Sequence, residues 1–333
     1  MAAVGAGTLT AAGILASCGG TSSAGGTPAQ ITDQLGWLKI TQFSGFLAAD
    51  AQGYYQKANI NATVQPGGPN IIASQVVGAG RALVGDDDNT TTLQAIDKGT
   101  PVVIYGAIFQ KSPYAVMSLP GAPIRTLQDF AGKTVAMTEA TKPQLFPLLQ
   151  KAGVNPNTVK VVPAGPDPSQ LASHQVQGYF GYATAQGVTL LQQGLPVIFT
   201  YLTDLGLPTY ANVLITRQDV IDKQTDLLTR FLRCVAKGYW WSNQNPDQMG
   251  QLMANKYGTG LKADTESAVA KAQAALIDSP KGPLWVDTDR MSQIIANGVA
   301  AGTISKSLPT NQVVTTKILE AAYKGWSVTD PIS

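Results

Sequence analysis

VGAGRALVGDDDNTTTLQAIDKGTPVVIYGAIFQKSPYAVMSL, residues 77–119, decides the fold class, because its apolar period changes along the stretch. Arg81–Gly85 reads as a short strand. Asp86-Asp87-Asp88-Asn89 is a polar junction, and Thr90–Lys98 carries helical spacing that stops at Gly99. Pro101–Phe109 (PVVIYGAIF) is then a continuous apolar run of strand length, and Tyr114–Leu119 is another. Continuous apolar strands separated by a helix and short turns belong to sheets covered on both faces. The stretch therefore predicts an α/β protein with mostly parallel sheets.

The same alternation extends in both directions. Toward the N-terminus, Leu35–Thr41 reads as a strand and Gly45–Lys57 as a helix. Ala62–Gln65 is a strand stopped by Pro66-Gly67-Gly68-Pro69, and Asn70–Ala79 is a helix with Asn70 placed to cap it. Toward the C-terminus a second series follows: strands at Lys133–Met137, Val159–Val162, Gly178–Tyr182, Pro196–Thr200 and Asn212–Thr216, with helices between them. Beyond Arg217 the chain is almost wholly helical. This organisation predicts two lobes, 35–117 with 215–333 and 118–214. The chain crosses between them near Met117–Pro120 and near Ala211–Ile215. Ligands of α/β sheets sit beyond the carboxyl ends of strands, so two such lobes frame one cleft that closes by hinge motion.

Composition removes several function classes. The 333 residues carry a formal net charge of only +2 with 13% charged residues and no Lys/Arg block, so a nucleic-acid partner has no support. One histidine, His174, and two cysteines, Cys18 and Cys234, leave no cluster with the ligand spacing of a metal site. No metal and no cofactor is expected. His174 reads as an exposed, inert side chain, Cys234 as a core thiol, and Trp240, Trp241 and Trp285 as structural.

Residues 1–17, MAAVGAGTLTAAGILAS, are uncharged, small and apolar. They are too short to span a bilayer, which takes about 20 apolar residues, and have the length of a secretory leader. A Gly/Ser/Thr-rich stretch to Gln34 follows, so residues 18–34 read as a flexible tether. Leu15-Ala16-Ser17-Cys18 resembles a bacterial lipobox, which implies lipidation at Cys18 and a body held at the outer face of the cytoplasmic membrane. Such leaders open with Lys or Arg, none precedes Cys18, and the natural start is expected upstream of Met1.

Longer segments resemble a known family. GYYQKANINATVQPGGPN (53–70), the stretch 77–119 quoted above, LQDFAGKTVAM (127–137) and VQGYFGYATAQGVTLLQQG (176–194) are similar to the periplasmic substrate-binding proteins that share a domain with fungal pyrimidine-synthesis proteins. The resemblance covers about 36–240. It implies a two-lobed type II periplasmic-binding-protein fold, a small-molecule ligand, and ABC permease and ATPase partners for a monomeric protein. Bacterial members bind nitrate, sulfonates, taurine, pyrimidines or riboflavin. The Pro66–Pro69 turn and Phe109–Pro113 look most like the branch for heteroaromatic vitamin precursors, pyrimidine or riboflavin. Gln177 and Gln186 stand where that family carries Asp and Glu, which favours a neutral ligand.

Candidate contacts lie at strand ends and turns. Gln42 could hydrogen-bond a ring on which Phe43 and Phe46 stack, although Phe46 reads equally as core. Gly68, Pro69 and Asn70 form a turn into a helix, open to close backbone approach or merely tight. Asp86 or Asp87 could accept a ligand N–H, while at least one residue of the Asp86–Asn89 group caps a helix. Gln110 and Tyr114 flank the first crossing. In the second lobe the candidates are Thr138, Glu139, Tyr182 and Gln186, with Tyr182 either a stacking face or core. The expected function is capture of a small heteroaromatic solute for a membrane importer. A binder of sulfonate, taurine or nitrate is the alternative. An enzyme is disfavoured: the fungal synthases depend on a histidine, a lysine and a cysteine-rich motif, and no Gly-x-Ser-x-Gly elbow is present.

Overall fold

A computed structural model describes residues 27–332, apart from Pro208 and Thr259. The proposed leader and Cys18 lie outside the described residues. Two five-stranded sheets organise the chain. The first has the order β2-β1-β3-β10-β4, formed by β1 (Ala29–Gln34), β2 (Ile60–Gln65), β3 (Val84–Asp88), β4 (Val103–Ala107) and β10 (Asn212–Thr216). The second has the order β7-β6-β8-β5-β9, formed by β5 (Tyr114–Ser118), β6 (Thr134–Met137), β7 (Lys160–Pro163), β8 (Gly178–Tyr182) and β9 (Ile198–Tyr201). In each sheet one strand runs against the rest: β10 is antiparallel to β3 and β4, and β5 is antiparallel to β8 and β9. Those reversed strands are the ones that follow the two crossings.

The crossings therefore differ from the expected positions. The first is the segment 108–113, so β5 belongs wholly to the second sheet rather than closing the first lobe. The second is 202–211, so β10 opens the return to the first sheet.

The N-terminal strand also lies elsewhere than expected. Residues 29–34 are not tether but β1, paired in parallel with β2 along its whole length and with β3 on its other side. Leu35–Thr41 is a loop, ending in a 3-10 turn at Thr41–Phe43. The polar composition AQITDQ hid the strand. Its inward positions carry Ile31 and, unusually, Asp33, both fully buried.

Around the first sheet lie α1 (Ser44–Ala51), α2 (Tyr54–Lys57), α3 (Ala73–Gly78) and α4 (Asn89–Asp97). The helix expected over 45–57 is split because Gly53 adopts φ +69, a left-handed conformation that glycine takes without steric cost. The second sheet carries α5 (Lys142–Lys151), α6 (Ser169–Ala172) and α7 (Gln186–Gln192). The helical C-terminal part comprises α8 (Gln218–Lys223), α9 (Thr225–Gln244), α10 (Pro246–Leu252), α11 (Ala263–Ile277), α12 (Thr288–Ala301), α13 (Thr310–Val313) and α14 (Lys317–Tyr323). Phe231, Leu232, Val235 and Tyr239 of α9 bury one face against the first sheet's core. Cys234 is in that core, its thiol bonded to the Tyr54 carbonyl at 3.3 Å and pushed up to about 12 by burial. No helix among the described residues is long and apolar enough to cross a membrane.

Candidate functional site

The carboxyl ends of the parallel strands in both sheets face one cleft, where a cavity of about 140 Å³ lies between the lobes. Its first-lobe wall begins with the loop after β1, which brings Trp37 and Gln42 to the surface of the cavity. The Pro66–Pro69 turn packs on that loop. Gly67 donates its N–H to the Trp37 carbonyl at 2.8 Å, and a Cβ at Gly67 would sit 2.3 Å from the Leu35 carbonyl oxygen. Glycine is thus required there for close approach, and it sets Gly68 and Pro69 at the cleft edge. Ile71 and Ile72, 42% and 37% exposed, form the lip.

β3 ends in three consecutive acids whose environments differ. Asp86 is fully buried beneath the cleft, accepting from Asn212 Nδ2 at 2.5 Å and from the Gly36 N–H at 3.2 Å. Asp87 accepts from the Ser74 N–H at 2.9 Å. Asp88 caps α4, accepting from the Thr91 N–H at 3.0 Å. Burial raises all three carboxyls, Asp87 to about 6 and Asp88 to about 7. Asp87 and Asp88 line the cavity.

The second lobe contributes Tyr114, Phe180 and Tyr182 from neighbouring β5 and β8. Tyr114 meets Phe180 at 5.8 Å and Tyr182 edge-on at 5.7 Å between ring centroids. Its hydroxyl is hydrogen-bonded to Thr141. Gln186 accepts the Tyr182 N–H at 2.9 Å. Hydrogen bonds also span the lobes. Tyr182 donates its hydroxyl to Asn212 Oδ1 at 2.5 Å, an oxygen that also accepts from Gln42 Nε2 at 2.9 Å. Gln144 of α5 donates to Asp88 Oδ1 at 3.0 Å.

Of the residues expected at a site, the cavity brings together Gln42, Gly68, Pro69, Asp87, Tyr114, Thr138, Tyr182 and Gln186. Six lie elsewhere. Phe43 and Phe46 are fully buried in the first lobe's core, with Phe46 against Phe231 and Tyr239, so they stack on no ligand. Asn70 is exposed and caps nothing; α3 starts at Ala73 after Ile72. Asp86 supports Asn212 from beneath. Gln110 turns away to the Trp285 carbonyl at 2.8 Å. Glu139 is 77% exposed and paired with Lys142. His174 is exposed, at φ +59 beyond α6. The residues that sequence reasoning missed include Trp37, Thr91, Gln144, Phe180 and Asn212. Trp37 gave no signal, because Leu35–Thr41 reads as a strand and only the fold makes it the loop after β1 that faces the glycine turn.

A family model described as NMT1/THI5 like matches residues 40–249. The chain belongs to the NMT1/THI5-like family. This NMT1/THI5-like chain is 25% identical over 220 residues to the 4-amino-5-hydroxymethyl-2-methylpyrimidine phosphate synthase of Schizosaccharomyces pombe, covering 62% of this chain and 63% of that protein. It is 23% identical over 233 residues to the riboflavin-binding protein RibY of Chloroflexus aurantiacus, covering 68% and 66%. The matched region thus spans just under two thirds of each relative. Among solved structures, the periplasmic aliphatic sulphonate binding protein SsuA of Escherichia coli superposes with a TM-score of 0.65 at 16% identity, over 86% of this chain and 92% of that one. That likeness shows the fold of the NMT1/THI5-like chain to be the two-lobed type II binding-protein fold.

Proposed function

We propose that the protein is the solute-binding component of an ABC-type importer and carries a single-ring heteroaromatic compound, of pyrimidine type, in the interlobe cleft. The observation that carries this reading is the cleft lining: Trp37, Tyr114, Phe180 and Tyr182 beside Asp87 and Asp88, with no Lys, Arg or His among the lining residues. Aromatic faces with a few placed polar groups suit a flat ring. A sulfonate or nitrate would meet two acidic side chains and no cation. Size favours one ring over a tricyclic flavin, since an engineered apolar cavity of about 150 Å³ in another protein takes up benzene and the cavity here is about 140 Å³. Similarity to relatives named for pyrimidine and riboflavin supports the same class.

On this reading the protein is not an enzyme. Ligand bound to both lobes favours the closed state, and the permease and ATPase partners receive that shape. Lipidation of Cys18 would hold the monomer at the outer face of the membrane.

A thermal-shift panel tests the assignment. 4-Amino-5-hydroxymethyl-2-methylpyrimidine should raise the Tm saturably, by an amount set by its excess over Kd. Riboflavin should act more weakly, and taurine, alkanesulfonates and nitrate should have no effect. Stabilisation by sulfonates alone would overturn the reading.

A further inference from the structure

Gln144 occupies a place that the sequence does not signal. It projects from α5 of the second lobe, is 2% exposed, and lines the cleft. Its amide nitrogen is fully engaged: it reaches Asp88 Oδ1 at 3.0 Å and Thr91 Oγ1 at 3.3 Å in the first lobe, and the Ala140 carbonyl of its own lobe at 3.2 Å. The Ala140 carbonyl only accepts, so the amide cannot be turned over without setting oxygen against oxygen. The orientation leaves Oε1 as a buried acceptor with no hydrogen-bond partner among the described residues. Such a group costs free energy until a donor meets it. The turn leading into α5 places Thr138, Ala140 and Thr141 on the same wall.

We infer that Gln144 is a specificity-determining clasp: its amide nitrogen joins the lobes through Asp88 and Thr91, and its free oxygen selects ligands that present an N–H donor, such as a ring amine. The inference rests on the cleft being the ligand site. It makes recognition and closure one event, because the acceptor is held in place only when the second lobe reaches Asp88. A ligand lacking the donor would leave Oε1 unpaired in the closed protein.

The experiment compares wild type with Gln144→Met, of similar length but without polar atoms, and Gln144→Glu, which keeps an acceptor but loses the donors. Titration calorimetry uses 4-amino-5-hydroxymethyl-2-methylpyrimidine and its 4-dimethylamino analogue, whose added bulk acts equally on all three proteins. Wild type should prefer the amine by about tenfold or more, the effect of one buried hydrogen bond. Gln144→Met should lose that preference, and Gln144→Glu, whose acceptor is no longer held against Asp88, should lose it too. In ligand-free small-angle scattering both variants should show a larger radius of gyration than wild type. An unchanged amine preference in Gln144→Met overturns the acceptor role while leaving the pyrimidine reading intact. Failure of both probes to bind wild type overturns the acceptor role together with that reading. An unchanged radius of gyration in both variants overturns the clasp.

Discussion

Asp33 is the residue whose chemistry departs furthest from its surroundings. It is fully buried on β1, neither carboxyl oxygen has a hydrogen-bond partner among the described residues, and burial raises it to about 7. The groups coupled to it are Asp86, Tyr55, Tyr105 and Tyr239, none of them a cation. The native state therefore holds this proton more tightly than the unfolded chain, whose carboxyl releases it near pH 4. Between about pH 4 and pH 7 the folded form binds more protons, so stability falls as pH rises through that window. Asp33→Asn should remove this residue's share of the dependence, leaving that of Asp86, Asp87 and Asp88, and should gain at most about 4 kcal/mol over wild type at pH 8 and almost nothing at pH 4. Urea denaturation at the two pH values measures it, and equal differences at both would exclude ionisation of Asp33 as the cause. Sequence reading could not see this group, because a polar residue in a polar hexapeptide gives no sign that its side of the strand is buried.

At the scale of elements, the crossing of α1 and α9 shows how glycine spacing sets a helix pair. A Cβ at Gly238 would lie 2.0 Å from the Gly45 carbonyl oxygen, and one at Gly45 would strike the Tyr239 ring at 2.1 Å. The backbones touch, and the Tyr239 hydroxyl then reaches the Gln42 carbonyl at 3.1 Å, tying α9 to the turn that holds Gln42 at the cleft. Gly238→Ala should force the helices apart. Overpacking costs about 1–3 kcal/mol, against which the better helix propensity of Ala recovers about 1. Chemical denaturation should show net destabilisation, together with weaker ligand binding through Gln42. Gly121→Ala, where an added Cβ meets nothing within 4 Å, is the matched control and should be near neutral. A neutral Gly238→Ala would mean that the helix contact is loose. Most strands and helices beyond residue 60 were legible from period alone. The misreadings, β1 and the loop at 35–41, lie before it: pairing of β1 with two neighbours outweighs its polar composition and leaves the apolar residues after it as loop.

For the whole molecule, the two sheets have separate cores, and the hydrogen bonds from Tyr182 and Gln144 to Asn212 and Asp88 link them across the cleft. On the proposed importer reading, an anchor would keep the body close to its membrane partner. The lipobox-like Leu15–Cys18 stretch supplies the reading, with lipid at Cys18. A Cys18→Ser variant expressed in a bacterial host should leave the membrane fraction while binding ligand as before. Retention of that variant in the membrane fraction would remove the anchor from the proposal.

Sequence alone determined the α/β class, the serial pair of lobes and the family resemblance, because hydrophobic period and turn residues are local signals. It also marked the strand ends at Asp87, Tyr114, Thr138 and Tyr182, since strand ends are visible as breaks in that period. Only the tertiary structure decided which aromatics face the cleft. Phe43 and Phe46 follow the right loop closely, but Phe46 packs against α9 and Phe43 against Phe46, and both belong to the core. Trp37, Gln144 and Asn212 come from three distant segments, and no spacing along the chain records that a lobe crossing brings them to one cavity.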